Sequence, residues 1–298
     1  MVKRITPSNA TIDYMSELIE RHIQHCEATG LADTTIEKRA ELLRRLDRDL
    51  PMGLGHATTE ELEDFLARAR AKETKASYYG HITAFFKWAC DPKRPRIDYD
   101  PSDGLCRPRV PRGIPKPCTN EQLAFAMNEL PQPWLSYVAL AAYAGARCCE
   151  IATIERSAVN RNETRILGKG GRTRIVKTHS ELWRVIEPLP DGPIARKIHA
   201  PGRPDADYVS SMTRMTLARI GLPGVTLHRF RHWYATIQLR AVKYGGAGAS
   251  LRVVQENMGH LSISSTAIYT FVTNEERADA IDSLPTFTTP TPHVEVQS

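Results

Sequence analysis

No stretch of the 298-residue chain holds about 18 consecutive apolar residues, so the sequence offers no candidate for a membrane-spanning helix. The opening MVKRITPSNATIDYM has no apolar core of the kind a secretory signal needs. The expectation is a cytoplasmic protein with no membrane partner. Six cysteines, at positions 26, 90, 106, 118, 148 and 149, show neither a repeated CxxC spacing nor accompanying histidine pairs. That argues against a zinc module and for reduced thiols, with the adjacent Cys148 and Cys149 read as small packing residues of a helix. Acidic residues do not gather near the basic part of the chain as metal ligands would, so neither a metal nor any other cofactor is expected. No internal repeat is evident.

What the chain does have is positive charge, unevenly placed. The net charge of +6 resolves into −5 over residues 1–64, +7 over 65–118, +8 over 119–268 and −4 over 269–298. A basic middle between acidic ends suits a protein that lays its central region along a polyanion, because neutralising phosphates releases their counterions. The length favours two domains over one.

Periodicity places four helices in the first third. Ile12, Met15, Ile19 and Ile23 recur every three or four residues, as do Ile36, Ala40, Leu43, Leu46 and Leu50. Thr58 and Glu61 form a capping-box pattern ahead of Leu62, Phe65 and Leu66. A fourth segment, 73–90, sets Tyr78, Ile82, Phe85 and Ala89 on one face. The stretch 91–118 then changes character, with seven prolines interleaved with Lys and Arg. It reads as a semi-rigid basic connector, centred on 106–118, able to cross a phosphate backbone. Beyond it, Thr119 and Gln122 open a helix reaching Leu130, and a very apolar helix follows from Pro133 to Ala144. SAVN, TRILG and RTRIV read as strands, the last two joined in a hairpin through Lys169-Gly170-Gly171. Further helices are predicted near 180–187, 207–220, 228–241, 250–258 and 264–271, with KYGGAGAS at 243–250 as a long flexible loop. The tail 285–298 has little to bury and is expected to be disordered.

Five local patterns carry the chemistry: GARCCEI at 145–151, LGKGGRTRIV at 167–176, HRFRHWYAT at 228–236, MGH at 258–260 and STAIYTFV at 265–272. In their order and spacing they resemble the motifs of the tyrosine recombinases, the family of phage integrases and bacterial chromosome-dimer-resolving recombinases. Ala146, Phe230 and Met258 stand where that family commonly has Leu, each keeping an apolar group. The likeness extends over about 280 residues, since the helical bundle and its connector are similar to the family's core-site DNA-binding domain.

The resemblance implies a mainly α protein with a small antiparallel β-sheet. A SAM-like four-helix DNA-binding bundle would occupy 1–105, a basic Pro-rich linker 106–118 and an α+β catalytic domain 119–284. It implies Tyr269 as the nucleophile, forming a 3′-phosphotyrosyl bond without metal or ATP, and Lys169 at the hairpin tip as the general acid. Arg147 and Arg231, as planar charged forks, suit bidentate contact with the non-bridging phosphate oxygens. His228 and His260 would donate to phosphate oxygens and help move the tyrosine proton, and Glu150 and His232 would support the site. Glu150, three residues after Arg147, could share one helix face with it and orient the cations. Lys72, Lys75, Lys87, Arg107, Arg109, Arg112 and Lys116 are the candidate DNA-binding residues. The implied partners are double-stranded DNA with specific recombination sites, a homotetramer on paired sites, and an accessory DNA-bending or directionality protein. NEERADAIDSL, after Tyr269, is expected to dock on a neighbouring subunit. The early start of the helical bundle suggests the simple two-domain type, without an additional arm-site domain. Two alternatives stay open: a type IB topoisomerase-like enzyme, and a non-catalytic DNA-binding regulator derived from a recombinase.

Overall fold

The computed structural model of the chain describes residues 9–111, 113, 115–168, 171–198, 200–260, 262–270 and 281–282, with side chains from residue 14 onward. The chain divides into two compact units, residues 1–111 and 112–298. Among the described residues no helix is long and apolar enough to cross a membrane.

The first unit is built from α1 Asn9–Ala28, α2 Asp33–Asp49, α3 Thr59–Arg68 and α4 Lys72–Ala89. Each helix turns its apolar stripe inward, so that Leu18 and Ile19, Leu43 and Leu46, Leu62, and Ile82, Phe85 and Phe86 meet in one core. Met15 and Ile23 are buried with them, whereas the side chain of Ile12 lies outside the described residues. The capping box forms as the sequence predicts. Thr58 Oγ1 accepts from the Glu61 N–H at 3.2 Å, and Glu61 Oε2 accepts from the Thr58 N–H at 3.0 Å. The chain after α4 stays on this unit: Leu105 joins its core, Thr59 Oγ1 donates to the Pro101 carbonyl at 2.9 Å, and the Arg96 guanidinium lies 4.0 Å from the centre of the Trp88 ring. Residues 91–105 are therefore packed structure rather than free connector.

The second unit contains α5 Asn120–Glu129, α6 Trp134–Tyr143, α7 Cys148–Thr153, the strands β1 Glu163–Leu167 and β2 Thr173–Lys177, then α8 Ser180–Ile186, α9 Ala206–Arg219, α10 Leu227–Leu239, α11 Leu251–Met258 and α12 Ser264–Ala267. Thr119 caps α5 through the expected box with Gln122. The almost wholly apolar α6 has little polar face to present to water, and it packs against α5, α8, α9 and α10 at the centre of the core. β1 and β2 form a two-stranded antiparallel sheet in the register Glu163↔Lys177 to Leu167↔Thr173. Ala146, Phe230 and Met258, the three departures from the family pattern, are all buried. Fold and sequence pattern thus agree on a mainly helical protein with one small antiparallel sheet.

Four local expectations differ. SAVN is not a strand: Arg156–Ala158 is a single 3-10 turn, and Val159 makes only an isolated bridge to Thr164. Asn160 is the cause, because its Oδ1 accepts from the N–H groups of Asn162 and Glu163, both at 2.9 Å, and turns the chain. The helix before Tyr269 ends at Ala267, after which the Tyr269 and Thr270 N–H groups bond three residues back rather than four. The glycine-rich stretch folds onto α10, the N–H groups of Ala247, Gly248 and Ala249 satisfying carbonyls of Ile237, Arg240 and Gln238. Of the adjacent cysteines, Cys148 packs against the core but Cys149 is exposed, and all six cysteines are free. The tail 285–298, and the 274–284 segment apart from 281 and 282, lie outside the described residues.

Candidate active site

Gly145 begins the site. It leaves α6 with φ +60°, and a Cβ there would sit 2.6 Å from the Tyr234 ring, so the turn needs both the left-handed backbone and the missing side chain. The turn brings Arg147 to the N-cap of α7, where Glu150 Oε2 accepts from the Arg147 N–H at 2.8 Å. Arg147 and Glu150 are thus not two residues of one helix face, as the spacing suggested. They are the cap and its third-position partner, and the side chains still meet, Nη1 to Oε1, at 2.8 Å.

Three guanidiniums converge on the buried Glu150 carboxylate. Arg174 of β2 binds both of its oxygens at 2.8 Å, and Arg231 of α10 approaches to 4.0 Å. Burial alone would raise the Glu150 carboxyl, but the Arg174 hydrogen bonds and charge, joined by those of Arg147, outweigh it and hold the group below the usual carboxylate range. One negative charge faces three positive ones, leaving an excess that favours an anion. Arg231 itself is 2% exposed. It donates through Nη1 to the Gly145 carbonyl and through Nη2 to the Met258 carbonyl at 2.9 Å. Burial first, and then the neighbouring Arg147 charge, lowers Arg231 to about 9, which leaves it protonated at neutral pH. Each terminal nitrogen of Arg231 thus gives one N–H to a backbone carbonyl, so the fork is partly engaged within the protein. Arg147, with a side chain 36% exposed, is the open one.

α11 ends at Gly259, whose φ of +62° closes the helix and sends the chain toward His260. His260 Nε2 lies 3.0 Å from Arg231 Nη2, and its Nδ1 lies 2.8 Å from Thr266 Oγ1. Arginine can only donate, so Nε2 accepts and the ring proton sits on Nδ1, bonded to Thr266. In this arrangement His260 has no N–H left for a phosphate, which differs from the donor role expected of it. Burial and the charges of Arg231, Arg147 and Arg174 lower it to about 4. His228, solvent-facing in the first turn of α10, packs edge-on against His232 with ring centres 4.1 Å apart. Partial desolvation, then Arg231 and Arg147, lower His228. His232, lowered to about 4 by burial, His228 and Arg231, has a buried Nδ1 with no hydrogen-bond partner. Tyr269 closes the circle: its ring centre lies 5.1 Å from that of His232 and 6.3 Å from that of His260. It is 5% exposed and packs with Ala235, Val254 and Met258. Burial raises its hydroxyl against the pull of Arg231 and Arg147.

Of the predicted site residues, Arg147, Glu150, His228, Arg231, His232, His260 and Tyr269 come together. Lys169 lies outside the described residues, as does Arg112. Lys72 and Lys87 are exposed near opposite ends of α4, Lys75 is half-buried, and Arg107, Arg109 and Lys116 are exposed. Sequence reasoning missed Arg174 and Thr266. Strand alternation was the available signal for Arg174, since it lies on the same inward phase as Val176, opposite the buried Ile166. Nothing in the local pattern marks Thr266. Among the described residues no group of three or more His, Cys, Asp and Glu side chains is placed to hold a metal ion.

Residues 119–276 match the phage integrase family. Tyrosine recombinase XerD of Haemophilus influenzae is 30% identical over 287 residues, covering 83% of this chain and 90% of the relative. Among solved structures, a lambda integrase dimer bound to a COC′ core site aligns with a TM-score of 0.66 at 17% identity, over 85% of this chain and 94% of that one. A lambda integrase tetramer bound to a Holliday junction aligns at 0.65, also at 17% identity, over 85% of this chain and 76% of that one. At that identity the likeness is one of fold.

Proposed function

Because the chain belongs to the phage integrase family of tyrosine site-specific recombinases, we propose that Tyr269 is the nucleophile of a phage-type recombinase acting on double-stranded DNA. One observation carries the reading: side chains from segments as far apart as 147, 231 and 269 meet in a cluster with three guanidiniums, one carboxylate and a tyrosine.

The chemistry follows from that cluster. The Tyr269 oxygen attacks phosphorus, the bond to the 5′ oxygen breaks, and the ester is stored as a 3′-phosphotyrosyl link until another 5′-hydroxyl reverses the step. Storing the ester in this way removes any need for ATP. Arg147 is the cation with donors open to a phosphate oxygen. Arg231 acts from behind through its charge and by holding the Gly145 and Met258 carbonyls and the His260 ring in place. The phenol proton passes to a histidine. His228, kept neutral first by partial burial and then by the Arg231 and Arg147 charges, becomes a better base once a phosphate offsets those charges. Lys169 supplies the proton for the leaving 5′ oxygen. Since Tyr269 is packed against Ala235, Val254 and Met258, attack requires its ring to leave that contact when DNA binds.

DNA is held by the exposed cations Lys72 and Lys87, by Arg107, Arg109 and Lys116, and by Lys75 and Arg112, with the bundle and the catalytic unit each taking part. A tetramer on paired sites is the assembly this function needs, with NEERADAIDSL docking between subunits and an accessory protein setting direction. Supercoiled plasmids carrying two candidate sites, incubated in EDTA without nucleotide, test the reading. The wild-type chain yields recombinant products and Tyr269→Phe yields none while still binding. Sequence-indifferent relaxation without joined products would replace this reading with the topoisomerase-like one.

A further inference from the structure

Arg174 stands at a crossing of the segments that make the site. Its Nη1 and Nη2 grip the two oxygens of Glu150 at 2.8 Å, and Nη2 also donates to the Gly145 carbonyl at 3.1 Å, the same carbonyl that Arg231 holds. Its stem lies along Gly259, where an added Cβ would come 3.0 Å from Arg174 Cδ and 3.2 Å from Nη1. One side chain thus touches the turn before Arg147, the carboxylate between the cations and the residue that precedes His260. It is itself rooted in the hairpin that carries Lys169, where Ile166 pairs with Arg174 and the Gly168 N–H bonds to the Arg172 carbonyl at 2.7 Å. Its Nε is buried without a hydrogen-bond partner, the position being given over to the contact with Gly259.

We infer that Arg174 is a positioning residue for strand cleavage: it fastens the Lys169 hairpin to the Gly145–Glu150 and Gly259–His260 segments through Glu150, without touching DNA. This rests on the recombinase reading above. A lysine could not replace it, because an ammonium cannot span both carboxylate oxygens and a carbonyl from one planar group. Without Arg174, burial acts unopposed by its largest counterweight, and the Glu150 carboxyl rises toward neutrality. The charge that holds Arg147 at its cap then becomes dependent on pH.

The test measures single-turnover formation of the Tyr269–DNA adduct between pH 5 and 8, using the full chain and a nicked duplex containing the site that the wild type cleaves. Arg174→Lys and Arg174→Ala are expected to cleave about 100-fold more slowly, the cost of a misplaced reacting group. Both are also expected to show an additional acid-side loss beyond the wild type's histidine limb, one that Glu150→Gln removes in the same background. Adding Glu150→Gln to Arg174→Ala should hold cleavage, across the whole pH range, at the level that Arg174→Ala alone shows at its acid end. A pH profile superimposable on the wild type's, or losses that multiply in the double variant, overturns the inference. A second measurement needs neither DNA nor activity. Hydrogen exchange in Arg174→Lys should quicken at β1, β2, Gly145 and Gly259–His260 while α8 and α9 stay unchanged, and uniform exchange across the unit counts equally against the role. Absence of a wild-type adduct would fault the recombinase reading alone and leave this second measurement to decide.

Discussion

Arg231 shows how a buried charge can hold the segments of a site together. Its two terminal nitrogens hold backbone carbonyls from different segments, and the second also meets His260. Arg231→Lys keeps the charge but can satisfy only part of that set, losing at least one charge-assisted hydrogen bond worth about 1.5–3 kcal/mol. The expected outcome is about a 100-fold or greater loss of cleavage together with a lower urea midpoint, DNA binding being retained. Cleavage at the wild-type rate would remove Arg231 from the mechanism. Arg231, His260 and Tyr269 were legible as candidates from the motifs. The carbonyl contacts of Arg231 and the acceptor state of His260 Nε2 were not, because both depend on which backbone carbonyls and hydroxyls the fold delivers.

At the level of elements, the reliable signals were those with a local mechanism. The boxes at Thr58 and Thr119 satisfy orphan N–H groups within four residues, so no tertiary context was needed to read them. SAVN misled because the alternating pattern says nothing about the Asn160 side chain that turns the chain before a ladder can form. Arg174 was hidden among the basic residues of the hairpin, and only its inward phase on β2 distinguishes it. Gly145 is the element-scale test of the site. Gly145→Ala forces a left-handed backbone on a residue with a side chain, costing about 1–2 kcal/mol, and drives its Cβ into the Tyr234 ring. The variant should lose about 2 kcal/mol or more in urea unfolding and, with the Arg147 cap displaced, most of its cleavage. Wild-type stability would show that the turn tolerates a side chain at this position.

Over the whole molecule, two units each enclose their own core, and each carries histidines that burial holds neutral. In the first, His22 is 2% exposed, its ring centre 5.4 Å from that of Phe85 and 4.8 Å from that of Trp88. Burial, then Arg39, His25 and Arg96, lowers it to about 4. His232 and His260 play the same part in the second unit, each lowered to about 4. A histidine with a depressed folded value contributes stability that is complete above about 6.5, its unfolded value, and that drains away as pH falls through about 4. The urea midpoint should therefore fall steadily across that window. His22→Phe should flatten the fall for α1 and α4, followed by hydrogen exchange, while leaving the second unit acid-sensitive. An unchanged slope in the variant would mean that His22 is not charged on unfolding in that range.

The account stands on Tyr269 as the atom that takes the DNA. A nicked duplex that traps the cleaved strand, followed by protease digestion and mass spectrometry of the attached peptide, reads that atom directly. The predicted result is a phosphotyrosyl link at Tyr269 joined to a 3′ end; attachment at another residue, or through a 5′ end, would contradict it.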